Sequence, residues 1–329
     1  MKTAASGMFA RILASCGLGL ALAGAALAAD DYPSRPTRIV VPYPPGGFND
    51  TLARAVGDRL AKVWNQPVLV DNRPGGNTVL GNSLVAKSPH DGYTILITPL
   101  PFSALPALYG SKLPYDALKD FTPLVWAAST QNALVVRPDL GLNSVRELIE
   151  YAKKNPGKLN FGSTGSGSSN HLSMELFMSM TGTRMTHVPY KGSAPAVMAM
   201  LAGEIDVLFD NVPNVMQQIK SGKLKPLAVT GTSRAALLPE TPTVVEAGVP
   251  GYEVTVWFGM QMPAATPRSV VERANQDIVR ILRDPEVVRL FREQGVEVVA
   301  STPEAFGELL QREVRKWTRV VTDANVRIE

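Results

Sequence analysis

The sequence predicts an α/β protein of two lobes, each a mostly parallel sheet flanked by helices. Three observations predict it. Short β-branched runs alternate with helical runs, as strand-helix-strand units require of a covered parallel sheet. The alternation restarts after a proline-rich stretch from Pro99 to Pro123. A chain of 329 residues also suits two cores better than one.

In order, Arg38–Tyr43 reads as a strand, and Thr51–Trp64 as a helix with Leu52, Val56, Leu60 and Val63 on one stripe. Val68–Val70 is the next strand, Asn77–Lys87 a helix and Thr94–Thr98 a third strand. Beyond the prolines, Leu134–Val136 is a strand, and Ser144 with Glu147 forms a capping box for a helix ending near Asn155-Pro156-Gly157. Strands follow at Leu159–Gly162, Met185–Pro189, Ile205–Phe209 and Leu224–Val229, and helices at His171–Met180, Ala194–Ala202 and Val212–Ser221. Val254–Met262 is a last strand. Two amphipathic helices follow it, Pro267–Arg283 and one carrying Phe306, Leu309, Leu310, Trp317, Val320 and Val321.

Residues 1–28 read as a cleaved signal peptide. Lys2 and Arg11 precede an uncharged apolar stretch from Ile12 to Leu27, and Ala26-Leu27-Ala28 supplies small residues at the cleavage point. That stretch is short for a spanning helix, and Arg11 crowds the lipobox-like Leu13-Ala14-Ser15-Cys16. Cleavage discards Cys16, the one cysteine, and so excludes disulfides and thiolate metal sites. It also lowers the formal charge from +4 to +2 by removing Lys2 and Arg11. Acidic and basic residues are interleaved, which excludes a nucleic-acid footprint, and 45% hydrophobic content excludes a disordered chain.

Ligands of open α/β sheets lie where strands lead into helices. The first such loop is Pro42-Tyr43-Pro44-Pro45-Gly46-Gly47-Phe48-Asn49-Asp50: prolines stiffen it, glycines admit close approach, and a helix start offers N–H groups to a carboxylate. Asp50 reads as a cap, since its charge would repel an anion. The second loop, Gly162-Ser163-Thr164-Gly165-Ser166-Gly167-Ser168-Ser169-Asn170-His171, offers hydroxyls and amides. Ser168 stands where a Walker lysine belongs, and the third glycine of a dinucleotide fingerprint is missing. Thr98, Tyr190-Lys191-Gly192 and Asp210-Asn211 end further strands, Lys191 being the natural cation. His90, His171 and His187 lack metal-ligand spacing, so no metal or cofactor is expected. A Ser168/His171/Asp210 hydrolytic triad is the enzymatic alternative, without a G-x-S-x-G elbow to support it.

The run Pro33–Gly47 (PSRPTRIVVPYPPGG), with Asp71–Gly76, Asp91–Thr94, Lys112–Asp116, Lys119–Phe121, Gly162–His171, His187–Gly192, Phe209–Asn211, Leu238–Thr243 and Trp257–Gly259, resembles the substrate-binding proteins of tripartite tricarboxylate transporters, the Bug receptors. The motifs span the chain in order after the leader. The resemblance implies a periplasmic, monomeric, type II-like binding protein with crossing hinge strands. Residues 29–128 plus 253–329 would form lobe I and 129–252 lobe II. It would close on a small carboxylate and serve small and large integral membrane subunits, with docking to a membrane sensor as the alternative. It also implies a ligand site at Tyr43, Gly46, Gly47, Phe48, Asn49, Thr98, Ser163, Thr164, Gly165, Ser168, Ser169, His171, Tyr190, Lys191, Gly192, Asp210 and Asn211. Phe48-Asn49 departs from the small polar pair usual there; Phe48 would stack on an aromatic carboxylate or pack against the hinge.

Overall fold

A computed structural model of the chain describes residues 32–324 and 326. The predicted leader with Cys16 lies outside the described residues. Strands are β1 (Thr37–Val41), β2 (Val68–Asn72), β3 (Thr94–Pro99), β4 (Phe121–Thr130), β5 (Asn132–Val136), β6 (Asn160–Ser163), β7 (Thr186–Pro189), β8 (Val207–Asn211), β9 (Lys225–Val229), β10 (Val256–Pro263) and β11 (Glu297–Val298). Helices are α1 (Phe48–Trp64), α2 (Val79–Ala86), α3 (Leu105–Tyr109), α4 (Val145–Lys154), α5 (Ser169–Thr181), α6 (Ser193–Ala202), α7 (Val212–Lys220), α8 (Arg268–Leu282), α9 (Pro285–Glu293) and α10 (Pro303–Asp323).

The strands form two sheets, in the orders β11-β4-β10-β3-β1-β2 and β7-β6-β8-β5-β9. The expected parallel pairing holds for β2-β1-β3 and for β7-β6-β8. The sheets are mixed elsewhere: β10 runs against both β3 and β4, β11 against β4, and β5 against both β8 and β9. The reversed strands are those joining the sheets or pairing with them. The chain leaves the first sheet at Thr130, enters the second at Asn132 and returns after β9 to begin β10 at Val256.

Burial explains β4 and β10. All eight residues of β10 are buried, so it reads as a continuous apolar run rather than an alternating one. Gly259 within it faces the Phe306 ring of α10; a methyl group there would overlap that ring. Trp257 meets Phe306 edge-on at 5.7 Å, tying α10 to the sheet. Local signals worked where they were strong. Ser144 Oγ accepts the Glu147 N–H at 3.2 Å, and Glu147 returns a bond to the Asn143 amide at 2.8 Å, one residue earlier than a capping box requires.

At the crossover one hydroxyl joins three segments. Thr230 Oγ1 accepts the Asn132 N–H at 3.0 Å and donates to the Val254 carbonyl at 2.8 Å. Among the described residues, no helix is long and apolar enough to cross a membrane.

Candidate functional site

The first glycine loop follows β1 and opens α1. Gly46 takes a φ of +96°, which a side chain would strain, whereas Gly47 sits at an ordinary φ of −87° as the N-cap. Beneath it lies Asp50, buried, in the helix's first turn. Its Oδ2 accepts the Gly46 N–H at 3.2 Å and the Arg54 Nε–H at 2.9 Å; its Oδ1 accepts the Asn72 amide at 3.0 Å. The hydrogen bond from Arg54 leads the interactions that hold the Asp50 carboxyl below the usual carboxylate range. Asn72 also donates to the Tyr43 carbonyl at 3.1 Å, so β2 braces the loop on both sides. Burial raises the Tyr43 phenol, keeping it neutral. With Gly46 held by Asp50, the backbone N–H groups of Gly47, Phe48 and Asn49 form no hydrogen bond among the described residues, and Pro44 to Gly47 are exposed.

The second loop follows β6 and opens α5. Ser168 is the N-cap, its Oγ accepting the His171 N–H at 3.3 Å. His171 Nδ1 accepts the Gly167 N–H at 3.0 Å, so the imidazole proton resides on Nε2, 3.3 Å from Glu175 Oε1. His187 of β7 stacks on His171 with ring centroids 3.9 Å apart, and its Nε2 lies 2.7 Å from Ser163 Oγ. Burial, and then the neighbouring His171, depress the His187 pKa to about 3, so the ring is neutral and shares one hydrogen bond between its Nε2 and Ser163 Oγ. Gly165, at φ +130°, donates its N–H to Ser163 Oγ at 3.1 Å. Thr164 Oγ1 bonds Asn170 Oδ1 at 2.7 Å, and Asn170 Nδ2 reaches the Phe209 carbonyl at 2.8 Å and Asp210 at 3.0 Å.

Asp210 is fully buried at the end of β8. It accepts from Asn170, the Asn211 amide, Asn214 and Ser193, which binds α5, α6 and α7 to one carboxylate. Burial pushes its carboxyl above the ordinary range against those bonds. Its oxygens are committed, so Asp210 organises helix starts where a direct ligand contact was expected. Ser168, His171 and Asp210 each hold other partners, and no side-chain relay links them as a triad.

The remaining expected residues divide. Phe48 packs between Phe258 at 4.5 Å and Phe291 at 5.0 Å, the hinge-packing alternative instead of a stacking platform. Thr98 is buried, its hydroxyl accepting from Gln261 Nε2 at 3.0 Å. Tyr190 donates its N–H to the Ser163 carbonyl at 3.0 Å; Gly192 caps α6 at φ +112°, and Lys191 beside it is exposed. Ser169 is buried in the first turn of α5.

Three buried side-chain atoms without a partner stand just past strand ends: Asn49 Oδ1 after β1, Asn77 Nδ2 after β2 and Asn211 Nδ2 at the end of β8. Such atoms are costly to leave unmet, and among the described residues five more stand at Thr37, Asn82, Asn132, Arg137 and Trp257. Asn77, Asn170 and the His187 brace escaped the sequence reading, because their partners or burial depend on the tertiary fold.

The family model for the tripartite tricarboxylate transporter family receptor matches residues 52–326. The protein BugT of Bordetella pertussis is 36% identical over 325 residues, covering 97% of this chain and 99% of BugT. The solved structure of Rpa4515 from R. palustris with adipate superposes with a TM-score of 0.80 at 37% identity, covering 91% of this chain and all of that one. MatC (Rpa3494) from Rhodopseudomonas palustris with bound malate gives a TM-score of 0.77 at 29% identity, covering 88% of this chain and all of that one.

Proposed function

The chain belongs to the tripartite tricarboxylate transporter receptor family, and from that premise we propose that it captures a small dicarboxylate in the periplasm and delivers it to small and large membrane subunits. One observation carries the reading: each sheet ends in a glycine loop at a helix start, and the start of α1 keeps the Gly47, Phe48 and Asn49 N–H groups unpaired. Helix N-termini hold carboxylates through such amides and the helix dipole, without a fixed ion pair. Lys191 is the one cation in these loops, and neutral recognition of this kind suits a ligand that must later be released.

The proposed lobes are 29–128 with 253–329 and 129–252, closing about the crossover. Gly46, Gly47 and Asn49 would grip one end of the ligand. Ser163, Thr164, Gly165, Ser168, Tyr190, Lys191, Gly192 and Asn211 would grip the other, while Asp210, His171 and Thr98 support the turns from behind. The protein acts as a monomer. Adipate and malate bound by the solved relatives set the first probes.

The test is a melt of the leaderless protein with each acid, paired with native mass spectrometry and small-angle scattering. At about a hundredfold excess over Kd the fold gains about 2.7 kcal/mol, a rise of several degrees. The ligand mass is retained unchanged, and the radius of gyration falls. A panel of aliphatic and aromatic carboxylates that leaves both midpoint and radius unmoved would overturn the reading.

A further inference from the structure

A cavity of about 820 Å³ lies between the two sheets, beside the crossover. In the first sheet its wall is β4 and β11, separated by β10 from β3 and β1, whose ends carry Thr98 and Gly46. In the second it is bounded by Gln131, by Val212 directly after Asn211 of β8, and by the segment after β9.

Its chemistry is specific. Val212 and Leu237 of the second sheet's side face Val288 and Val298 of the first, and Leu237 is left 41% exposed. Two exposed arginines, Arg283 and Arg292, are among its lining residues against one exposed acidic residue, Glu297. Among the described residues neither arginine forms an ion pair, and the hydrogen bond of Arg283 is to the Ala300 carbonyl at 3.4 Å. An apolar slot with surplus guanidinium charge suits an anion that carries an apolar body.

The walls meet at Gly295. Its φ is +61°, and a Cβ there would come within 2.7 Å of Pro213 Cγ and 3.0 Å of Leu237 Cδ1; its carbonyl accepts the Thr130 hydroxyl at 2.8 Å. The two sides therefore already touch at one point.

We propose that this cavity is an effector site for an amphipathic organic anion, that it widens as the glycine-loop cleft closes, and that its occupancy therefore favours closure on the transported carboxylate. Only this coupling rests on the receptor reading; the site itself does not.

The probe is 8-anilinonaphthalene-1-sulfonate, titrated by fluorescence into the leaderless protein with and without saturating adipate. The expected result is saturable one-to-one binding, weakened about ten-fold in the Arg283→Gln/Arg292→Gln variant, as loss of charge-assisted bonds implies. Ala236→Trp, which places bulk on an exposed lining position, independently abolishes binding. Adipate tightens the probe, and the probe tightens adipate by the same factor, as linkage requires. An unchanged probe Kd in both variants, or displacement of the probe by adipate, overturns the site. An adipate Kd unmoved or raised by the probe overturns the effector role. A protein that ignores adipate while both variants lose the probe keeps the site and loses the dicarboxylate reading.

Discussion

Ser163 Oγ shares a hydrogen bond with His187 Nε2 at 2.7 Å while accepting the Gly165 N–H at 3.1 Å, so a residue on β7 fixes the backbone of the loop after β6. His187 lies 3.9 Å from His171 and 4.9 Å from Phe161, which are themselves 6.0 Å apart, so the three rings form a cluster that restrains it.

His187→Phe keeps an aromatic ring in the stack and removes the hydrogen-bond partner of Ser163. One neutral hydrogen bond is worth about 1 kcal/mol, so carboxylate affinity falls roughly five-fold by calorimetry. The same substitution changes the acid response. The folded pKa of His187 lies near 3, below its unfolded value of about 6.5, so below pH 6.5 the unfolded chain takes up a proton that the fold refuses. Stability is therefore lost as pH falls from about 6.5 towards 3, at up to about 1.4 kcal/mol per unit. The variant lacks that component, and its melting curve flattens over this window; superimposable profiles for the two proteins would refute the assignment.

Asp50 is placed to shape the first loop instead of touching a ligand. Asp50→Ala leaves the Gly46 N–H, the Arg54 guanidinium and the Asn72 amide without their acceptor, and a loss of about 2–3 kcal/mol is expected in urea unfolding. Its depressed carboxyl pKa means that this contribution is full above the unfolded value near 3.9 and fades as pH falls through the folded one. A variant as stable as the parent at neutral pH would mean that the loop stands without its buttress.

Phe48 separates packing from selectivity. Its ring is held by Phe258 and Phe291, so Phe48→Ala costs about 3 kcal/mol of stability while the order of preference among aliphatic and aromatic carboxylates is retained. A reordered preference with unchanged stability would restore the stacking role.

Elements with local signals were legible in the sequence: the α1 stripe at Leu52, Val56 and Leu60, with Trp64 buried where Val63 was expected, the Ser144 cap and the Ser168 loop. β4 was hidden because Pro123 interrupts it and Leu124 to Ala128 show no alternation, being packed on both faces. Helix α9 was hidden behind Pro285, which sits at its first position, where proline is well tolerated. Strand direction was not legible, because β10 finds β3 and β4 across more than a hundred residues, and no local pattern records that choice. The same holds for the site. Both glycine loops announced themselves, but nothing in the sequence singled out Asn170 within the second, because its partners Phe209 and Asp210 lie on another strand. Asp50 was read as a helix cap, and its carboxylate instead closes the turn before the helix.

Gly47 offers the cleanest separation of binding from folding. Its φ of −87° is open to any residue, and a Cβ built there meets nothing within 4 Å, so Gly47→Val leaves the melting temperature of the ligand-free protein nearly unchanged. Branched bulk at the mouth of α1 nevertheless blocks approach to the Gly47, Phe48 and Asn49 amides, and carboxylate affinity falls about a hundredfold if the two or three charge-assisted bonds there are lost. Gly165→Val behaves differently, because a φ of +130° is closed to a β-branched residue and costs the fold about 1–3 kcal/mol as well as the site. Thermal melts and calorimetry on the two variants therefore give distinct signatures. Full carboxylate affinity in Gly47→Val would remove the α1 amides from the site and leave the loop after β6 to hold the ligand alone.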